Sequence, residues 1–319
     1  MNKILLFIFL SLNLFAKDYF TIYKNEGIKS VENELKLEFR QKESWLKYLQ
    51  NHDTRFGYYE TKKFIIVADK NDKTMALYKK EDKNFIKISS DSMIIGENLG
   101  DKLLEGDKKT PEGSYELIQR RISLPAFYGP LALVTQYPDT FDKSLNKTGH
   151  GIWIHGMPLN GDRELYTEGC LAISNDRLEL LDKSIDYKNT ILITSSKAVP
   201  EVPKEELAIV LSTIFKWKDA WKDSDIETYL SFYSKDFKRA DRSDFSTFSN
   251  QKRRIFAKNE EKVINLFNID ISPYPNSLGK NMYKILMDEE YFSPSVRFIG
   301  KKELYIELIN GKVEILSED

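Results

Sequence analysis

The chain has 319 residues, of which 41% are hydrophobic and 13% aromatic, which is enough apolar material for about two folded domains and excludes a disordered chain. The 48 Lys and Arg residues nearly balance the 49 Asp and Glu residues, so the net charge of −1 excludes a general electrostatic attraction to nucleic acid or to anionic lipid. With one cysteine and three histidines, the sequence also excludes an intrachain disulfide framework and a CxxC-type metal site.

The first predicted element, residues 1–16, has the pattern of a secretory signal peptide. One lysine precedes an apolar run from Ile4 to Phe15, and the small residue Ala16 and a polar KDY sequence follow it. As a helix this run of 12 residues would be about 18 Å long, which is too short for a hydrocarbon core of about 30 Å. We therefore predict an exported chain that is cleaved after Ala16 and has no membrane span when mature. An uncleaved N-terminal anchor is the alternative, because Leu14 fits an A-x-A cleavage site poorly.

The second predicted element, residues 17–60, is charged and has a helical pattern. Apolar residues recur at roughly helical spacing within the segment VENELKLEFRQKESWLKYLQ. About 45 residues cannot bury a core of their own. We expect this segment to pack on the next domain, as a covering arm, or on a second copy of the chain, as a dimerisation element.

Residues 61–197 have the composition of a mostly β domain. Short runs of β-branched and aromatic residues, bounded by Gly, Pro and Asp, predict strands. The runs are FIIVAD, TMALYKK, FIKISS, SYELI, LALVTQY, GIWIHG and ILITSS.

The last segment follows a linker with two prolines at residues 197–206. Helical patterns fill residues 207–233, and the runs SVRFIG, LYIELI and KVEIL predict strands towards the end of the chain. Residues 205–319 are therefore predicted to form an α+β domain in which the helices come first.

The segment between Gly149 and Ser174 contains the residues best suited to chemistry, because it holds two of the three histidines and the only cysteine. Strand alternation places Trp153 and His155 on one face, with His155 at the strand end beside a glycine. Cys170 follows fifteen residues later in the sequence Thr-Glu-Gly-Cys, before a predicted helix at residues 176–184. This arrangement suggests a Cys–His pair.

A Cys–His pair would make the thiol a nucleophile. A thiol with a pKa of about 8.5 is mostly protonated near neutral pH, so an imidazole that accepts its proton generates the reactive thiolate. Backbone N–H groups around Gly169 and Cys170 are candidate donors to the oxyanion that forms when the thiol attacks an acyl group. Two other interpretations remain open. The cysteine is a small buried apolar residue, or a zinc ion is bound by His150, His155, Glu168 and Cys170. The five-residue separation of the two histidines disfavours zinc, since a regular strand would turn them to opposite faces.

Three ordered blocks stand out across residues 63–194: IIG at residues 94–96 with GDKKTPEGSY at residues 106–115, QYPD at residues 136–139, and IHG at residues 154–156 with TEGC at residues 167–170. Together they resemble the L,D-transpeptidase catalytic domain of the YkuD type. In the C-terminal segment, WKDAW at residues 217–221 and DIETYLSFY at residues 225–233 resemble an NTF2-like domain. The resemblance implies an α+β fold, with a mostly β catalytic domain, an α+β NTF2-like domain and a helical N-terminal segment.

The resemblance also implies roles for individual residues. Cys170 would be the nucleophile and His155 the general base and later the acid. Gly169 and Cys170 would supply the oxyanion donors, and Gly156, which lacks the side chain that orients the base in some relatives, would leave that task to a backbone carbonyl. Substrate contacts are expected from Glu168, Trp153, Thr167, Tyr137 and Arg163.

Two departures from the family pattern concern substrate binding. Glu168 stands where many relatives have a second histidine, and we expect it to point towards substrate or to help hold His155. Ala172 stands where Asn or Arg often binds the substrate carboxylate, so Arg163, Arg120 and Arg121 are the candidate substitutes.

The order of the segments resembles that of the cell-shape L,D-carboxypeptidases of curved and helical Gram-negative bacteria. That resemblance implies a periplasmic enzyme, without a cofactor or metal, that removes the terminal D-Ala from peptidoglycan tetrapeptide stems at meso-diaminopimelate. It also implies a homodimer formed through the N-terminal segment. L,D-transpeptidation, which crosslinks stems or attaches a protein to them, is one alternative, and a non-catalytic scaffold that binds peptidoglycan is another.

Overall fold

The computed structural model describes residues 18–199 and 201–319, which form two β-sheets that each cover a separate hydrophobic core, with helices packed against them. The predicted α+β fold class is confirmed. The predicted signal peptide at residues 1–16 lies outside the described residues. Across the two described ranges, every helix is too short or too polar to cross a bilayer.

Three helices open the described chain, as the polar and apolar pattern of the N-terminal segment predicts. They are α1 (Tyr19–Glu26), α2 (Ile28–Phe39) and α3 (Lys42–Leu49). Asp18 caps α1, because its carboxylate accepts hydrogen bonds from the first backbone N–H groups of the helix. Trp45 and Leu49 of α3 are buried in the core of the C-terminal sheet. The segment also packs on the next domain, as expected, because Phe56 and Tyr59 share a core cluster with Ile65 and Ile191.

The larger sheet has eight strands in the order β4-β3-β2-β9-β5-β6-β7-β8. Its strands are β2 (Phe64–Asp69), β3 (Thr74–Glu81), β4 (Asn84–Ser92), β5 (Gly113–Ile122), β6 (Leu131–Thr135), β7 (Trp153–His155), β8 (Leu171–Ala172) and β9 (Thr190–Ser195). All seven runs predicted as strands contribute to this sheet. β2 pairs with β9, and β7 with β8, in parallel, while the remaining pairs are antiparallel.

Two helices follow strands of this sheet. α4 (Thr140–Ser144) begins at Asp139, whose carboxylate accepts from the Asp142 N–H in a capping box. α5 (Asn175–Ser184) follows β8 directly, close to the predicted bounds. α5 packs on the core of this sheet, whereas Phe141 of α4 packs against residues of the C-terminal sheet. The core beneath the sheet contains Ile152 and Ile154, so the opposite face of β7 is left to Trp153 and His155.

The smaller sheet belongs mainly to the C-terminal part of the chain and has the order β1-β10-β11-β12-β13. Its strands are β1 (Tyr58–Tyr59), β10 (Val263–Pro273), β11 (Met282–Phe292), β12 (Arg297–Ile309) and β13 (Lys312–Glu318), and its helices are α6 (Lys204–Lys222), α7 (Ile226–Leu230) and α8 (Phe245–Phe256). α6 starts inside the predicted linker, because Pro203 supplies a backbone conformation that suits the entrance to a helix. β1, from the predicted N-terminal segment, pairs with β10 and so adds a strand to the C-terminal sheet.

Candidate active site

The pairing of β7 with β8 brings Cys170 and His155 to the same face of the sheet. Ile154 pairs with Leu171 and His155 with Ala172 in parallel register, so Cys170 lies opposite Trp153. Side chains two residues apart in a strand share a face, and neighbouring strands lie about 4.8 Å apart. The Cα atoms of Cys170 and His155 are therefore roughly 8 Å apart by this register, with both side chains on one side.

Both residues line one cavity of about 990 Å³. Cys170 is partly exposed, whereas His155 is 1% exposed. The other lining residues carry charges of both signs and several aromatic rings. They are Lys102, Glu105, Gly106, Lys108, Phe127, Tyr128, Gly149, His150, Gly151, Ile152, Asp162, Arg163, Glu164, Tyr166, Thr167 and Glu168.

A backbone carbonyl fixes the orientation and the tautomer of His155. Its Nδ1 lies 2.7 Å from the carbonyl oxygen of Gly156. Because a carbonyl can only accept, Nδ1 carries the hydrogen and the neutral ring keeps the lone pair on Nε2. Burial, together with the positive charge of Arg163, lowers the pKa of His155 to about 4. The imidazole is therefore neutral near physiological pH and can accept a proton at Nε2.

Residue 156 has no room for a side chain, because Asn175 occupies the position where its Cβ would lie. A Cβ there would lie 2.1 Å from Oδ1 of Asn175, at the start of α5. That oxygen accepts a hydrogen bond of 2.8 Å from the Met157 N–H, and the Gly156 N–H donates to the Tyr128 carbonyl at 3.0 Å. The carbonyl that orients His155 is thus held in place by α5 and by the loop that contains Tyr128.

The environment of the Cys170 thiol favours its protonated form. Its Sγ donates to the Gly151 carbonyl at 3.4 Å. Burial raises the pKa of the thiol to about 11, and the hydrogen bond from the Trp153 backbone and the positive charges of Arg163 and Lys102 offset only part of that rise. Burial therefore favours the uncharged forms of both Cys170 and His155.

The turn before the cysteine is held by Thr167 and shaped by Gly169. The Thr167 hydroxyl donates to the Cys170 carbonyl at 2.7 Å and accepts from the Gly169 N–H at 3.0 Å. Gly169 has a φ of +128°, and a Cβ there would lie 2.7 Å from the Lys109 carbonyl oxygen. The Gly169 amide has a partner already, so it must exchange that partner before it can serve as an oxyanion donor.

Arg163 differs from the other basic residues of the cavity because part of its guanidinium has no partner. Lys102 pairs with Asp107 at 2.8 Å and Lys108 with Glu97 at 2.6 Å. The Nη2 of Arg163 donates to the Tyr166 carbonyl at 3.1 Å, and the group lies 4.9 Å from the Phe127 ring centre. Within residues 18–199 and 201–319, its buried Nε and Nη1 have no hydrogen-bond partner. An anion in the cavity would satisfy these buried N–H groups once the side chain turns to expose them.

The other residues expected to contact substrate are distributed differently. Glu168 and Thr167 line the cavity, although the hydrogen bond that holds His155 comes from Gly156 and not from Glu168. Trp153 does not line the cavity, but its ring lies 5.1 Å from that of Tyr128, which does. Tyr137 was placed wrongly at the substrate. It is 4% exposed, lies in the core of the larger sheet and donates its hydroxyl to the Thr148 carbonyl at 3.1 Å.

The two remaining candidate arginines also lie elsewhere. Arg120 forms a surface ion pair with Asp182 at 2.6 Å, and Arg121 lies 5.2 Å from the Trp153 ring centre. Of the three arginines considered as substitutes at the carboxylate site, the cavity contains Arg163.

Sequence reasoning missed the contribution of Tyr128 and misjudged the position of His150. The Tyr128 ring meets the His155 ring edge-on at 5.2 Å, and the surrounding AFYG sequence carries no pattern that would have indicated this contact. His150 lines the same cavity as His155, because Gly149 and Gly151 both have positive φ and the regular strand begins only at Trp153. Even so, the described residues contain no group of three His, Cys, Asp or Glu side chains arranged to hold a metal ion.

Two family models match the chain. The L,D-transpeptidase catalytic domain matches residues 63–193, and the Cds6 C-terminal NTF2-like domain matches residues 209–319. Among curated protein sequences, none matches the chain.

Solved structures that resemble the chain over most of its length include two of one protein. The helical cell shape determining protein Pgp2 from Campylobacter jejuni is 39% identical, with a TM-score of 0.83 over 88% of this chain and 100% of that chain. A mutant of the same protein is 38% identical, with a TM-score of 0.85 over 88% and 99% of the two chains. Bd1075 from Bdellovibrio bacteriovorus is 26% identical, with a TM-score of 0.66 over 84% and 96%.

Proposed function

Because this chain belongs to the family of the Campylobacter cell-shape determinant Pgp2, with an L,D-transpeptidase catalytic domain and an NTF2-like C-terminal domain, we propose that it is a periplasmic peptidoglycan L,D-carboxypeptidase. It uses Cys170 as the nucleophile. It removes the terminal D-Ala from tetrapeptide stems at meso-diaminopimelate and leaves tripeptides, and this trimming affects cell shape.

The observation that carries this proposal is the state of His155. With Nδ1 bound to the Gly156 carbonyl, Nε2 is the basic nitrogen, and Cys170 lines the same cavity. A neutral imidazole beside a neutral thiol fits a reaction in which the proton leaves sulfur as the sulfur attacks the substrate carbonyl.

In the proposed acylation step, Sγ of Cys170 bonds to the carbonyl carbon at the L-centre of diaminopimelate and the thiol proton passes to Nε2 of His155. The tetrahedral oxyanion accepts hydrogen bonds from backbone N–H groups of the Gly169–Cys170 turn. When the C–N bond breaks, His155 donates the proton to the leaving amine and free D-Ala departs. Water then attacks the thioester, with His155 as the base, which releases the tripeptide and restores the thiol.

Arg163 is proposed to bind the carboxylate of the departing D-Ala. Its unpartnered Nε and Nη1 supply charge-assisted donors on the cavity wall, and the Phe127 ring and the Tyr166 carbonyl hold the guanidinium in place. Arg163 would thus bind the substrate carboxylate, which Ala172 cannot do because its side chain is small and apolar. Glu168 and Thr167 are proposed to contact the stem on the same wall.

The choice of water over a second stem as the acceptor rests on the similarity of the whole chain to a cell-shape determinant, because the catalytic motif is common to hydrolysis and transpeptidation. The test is incubation of the purified protein with disaccharide tetrapeptide, followed by mass spectrometry of the muropeptides and of the intact protein. We expect free D-Ala, tripeptide and an acyl adduct on Cys170, and none of these with Cys170→Ala. Crosslinked product without tripeptide would indicate a transpeptidase instead. Binding without an adduct or product would indicate a scaffold.

A further inference from the structure

A buried group of charged residues joins the two sheets, and its members Asp101 and Lys147 lie one and two positions along the chain from the cavity-lining residues Lys102 and Gly149. We call this group the interdomain cluster, and each of its members is at most 8% exposed. The catalytic domain contributes Asp101, Asp139, Asp142 and Lys147, and the C-terminal sheet contributes Lys284 and Glu303.

Lys147 is the cation that the catalytic domain supplies to this cluster. Its Nζ lies 2.8 Å from Oδ2 of Asp101 and 2.8 Å from Oδ1 of Asp142. Its backbone N–H donates to the Asp142 carbonyl at 2.9 Å. Both the main chain and the side chain of residue 147 are therefore attached to the cluster.

The C-terminal sheet completes the coordination of the same carboxylates. Ser277 donates to Oδ2 of Asp101 at 3.1 Å, which is the oxygen that Lys147 contacts. The Tyr274 hydroxyl donates to Oδ2 of Asp139 at 3.1 Å and lies 3.5 Å from Oδ1 of Asp142, the oxygen that Lys147 also contacts. Asp101 and Asp142, which hold Lys147, are thus themselves contacted by residues more than 130 positions further along the chain.

Lys147 is followed at once by the loop that contacts the thiol. Thr148 is anchored by its N–H, which donates to the Leu103 carbonyl at 2.9 Å, and at residue 151 the carbonyl of Gly151 accepts from the Cys170 thiol. Between these anchors lie Gly149 and Gly151, both at positive φ, and glycine restricts its own backbone less than any other residue. The position of the Gly151 carbonyl therefore depends on contacts at the ends of the loop.

We propose that Lys147 is a positioning residue, which ties the loop that holds the Cys170 thiol to a buried carboxylate cluster that the C-terminal domain completes. This inference rests on the proposed role of Cys170 as the nucleophile. It gives the C-terminal domain a part in catalysis without contact between that domain and the substrate.

The consequence for the thiol follows from the hydrogen bond to Gly151. The Gly151 carbonyl, as an acceptor, stabilises the protonated thiol, whereas the Trp153 backbone, which lowers the pKa of Cys170, is held in β7 by its pairing with β6. A loosened loop therefore lowers the pKa of Cys170 while it also misplaces the sulfur for attack. Reactivity towards a small alkylating agent and turnover of the stem should therefore change in opposite directions. A change that only lowers global stability would not alter the pH midpoint of alkylation in the folded state.

The first experiment compares Lys147→Met with the unchanged chain, at a temperature well below the melting point of both. Burial and the neighbouring Asp139 raise the pKa of Asp142 to about 7, so this carboxyl can take up a proton when the ammonium is removed, and the variant can fold. Because Cys170 is the only cysteine, the pH profile of iodoacetamide labelling reports this thiol alone. We expect the labelling midpoint to fall by about one pH unit and kcat for D-Ala release to fall by about tenfold, with little change in KM.

A second variant tests the same link from the other domain. Tyr274→Phe removes the hydroxyl that contacts Asp139 and keeps the ring that packs on Phe141. We expect a smaller shift of the labelling midpoint in the same direction. The matched control is Tyr283→Phe, which removes a hydroxyl bound to Glu206 within the C-terminal domain and should leave the profile unchanged.

The outcomes separate this inference from the proposed function. A folded Lys147→Met whose labelling profile overlies that of the unchanged chain overturns the inference. If Lys147→Met does not fold, an unshifted profile for Tyr274→Phe overturns it. Should the unchanged chain release no D-Ala, the proposed function fails, while the labelling profiles still decide whether Lys147 positions the thiol.

Discussion

The active-site cavity and the interdomain cluster are both polar and largely buried, and they differ in how their charged groups are partnered. In the cluster, Lys284 has a carboxylate at 2.9 Å, another at 3.6 Å and the Gln136 amide oxygen at 2.8 Å. In the cavity, Arg163 keeps two buried nitrogens without a partner in the described part of the chain. A buried N–H donor without a partner lowers the stability of the fold. Such a donor is therefore expected where a bound ligand supplies the missing acceptor.

The same contrast applies to ionisation. In the cluster, Lys147 and Lys284 form ion pairs with buried carboxylates. In the cavity, burial favours the uncharged forms of His155 and Cys170, with pKa values displaced to about 4 and about 11. Partnered charges serve the structure, and neutral or unpartnered groups beside a cavity serve a reaction. Four changes test that distinction, from the largest expected effect to the smallest.

The largest effect is expected for His155→Gln. The amide can keep a hydrogen bond to the Gly156 carbonyl but cannot accept a proton, so kcat for D-Ala release should fall by about 10³-fold. Steady-state kinetics with disaccharide tetrapeptide measures this. His52→Gln, at the end of α3, is the control for loss of an imidazole and should retain the activity of the unchanged chain. A variant at residue 155 with nearly full activity would exclude His155 as the base.

The next largest effect, on stability rather than on chemistry, is expected for Lys284→Met. Removing this fully buried ammonium leaves Asp139 and Glu303 without their cation and should lower the free energy of unfolding by about 3 kcal/mol. Urea denaturation followed by tryptophan fluorescence measures the change. Lys312→Met, which removes an exposed lysine paired with Glu314, should cost less than about 0.5 kcal/mol. Equal losses for the two variants would mean that the cluster contributes no more than a surface pair.

A smaller effect is expected for Arg163→Met, and it should appear in substrate recognition. Loss of the charge-assisted donors should lower kcat/KM for tetrapeptide by about 10²-fold. Arg120→Met, at the surface pair with Asp182, is the matched control and should leave kcat/KM unchanged.

A modified substrate sharpens the test of Arg163. A stem whose terminal carboxylate is amidated should be poor for the unchanged chain and no poorer for Arg163→Met, because the two changes remove the same interaction. Fully additive losses would place the carboxylate elsewhere in the cavity.

The smallest effect is expected from pH. With the pKa of His155 at about 4, the base stays deprotonated above that value, and with the pKa of Cys170 at about 11 the thiol stays protonated below it. The kcat/KM for D-Ala release should therefore vary little between pH 6 and pH 9, by about twofold or less. Iodoacetamide labelling of Cys170 should instead rise steadily with pH towards 11. An inflection of both profiles between pH 6 and pH 8 would indicate an ion pair in place of the neutral pair.

Local pattern was sufficient for much of the fold and for the two central residues of the site. Alternating runs with β-branched residues predicted seven of the eight strands of the larger sheet and missed β8. The resemblance of motif blocks to a known domain is confirmed by the match over residues 63–193. The placement of His155 at a strand end and of Cys170 after a glycine could be predicted because each depends only on adjacent residues. Their meeting on one face follows from the parallel pairing of β7 with β8, which the sequence indicates only through the family resemblance.

Other features depend on contacts between residues that the sequence separates widely. Tyr137 belongs to a motif block yet points into the core, and the N-terminal helices cover the last domain rather than the next one. Lys147 meets Asp101 across 46 positions, and Ser277 meets the same carboxylate across 176. The sequence by itself determined most strands of the catalytic domain, the leading helices of each flanking segment and the residues that can react, because short-range sterics and hydrophobic periodicity act between neighbours. Only the tertiary structure decided which charges are partnered and which are left for a ligand, because burial and ion pairing depend on what the rest of the fold brings alongside each group.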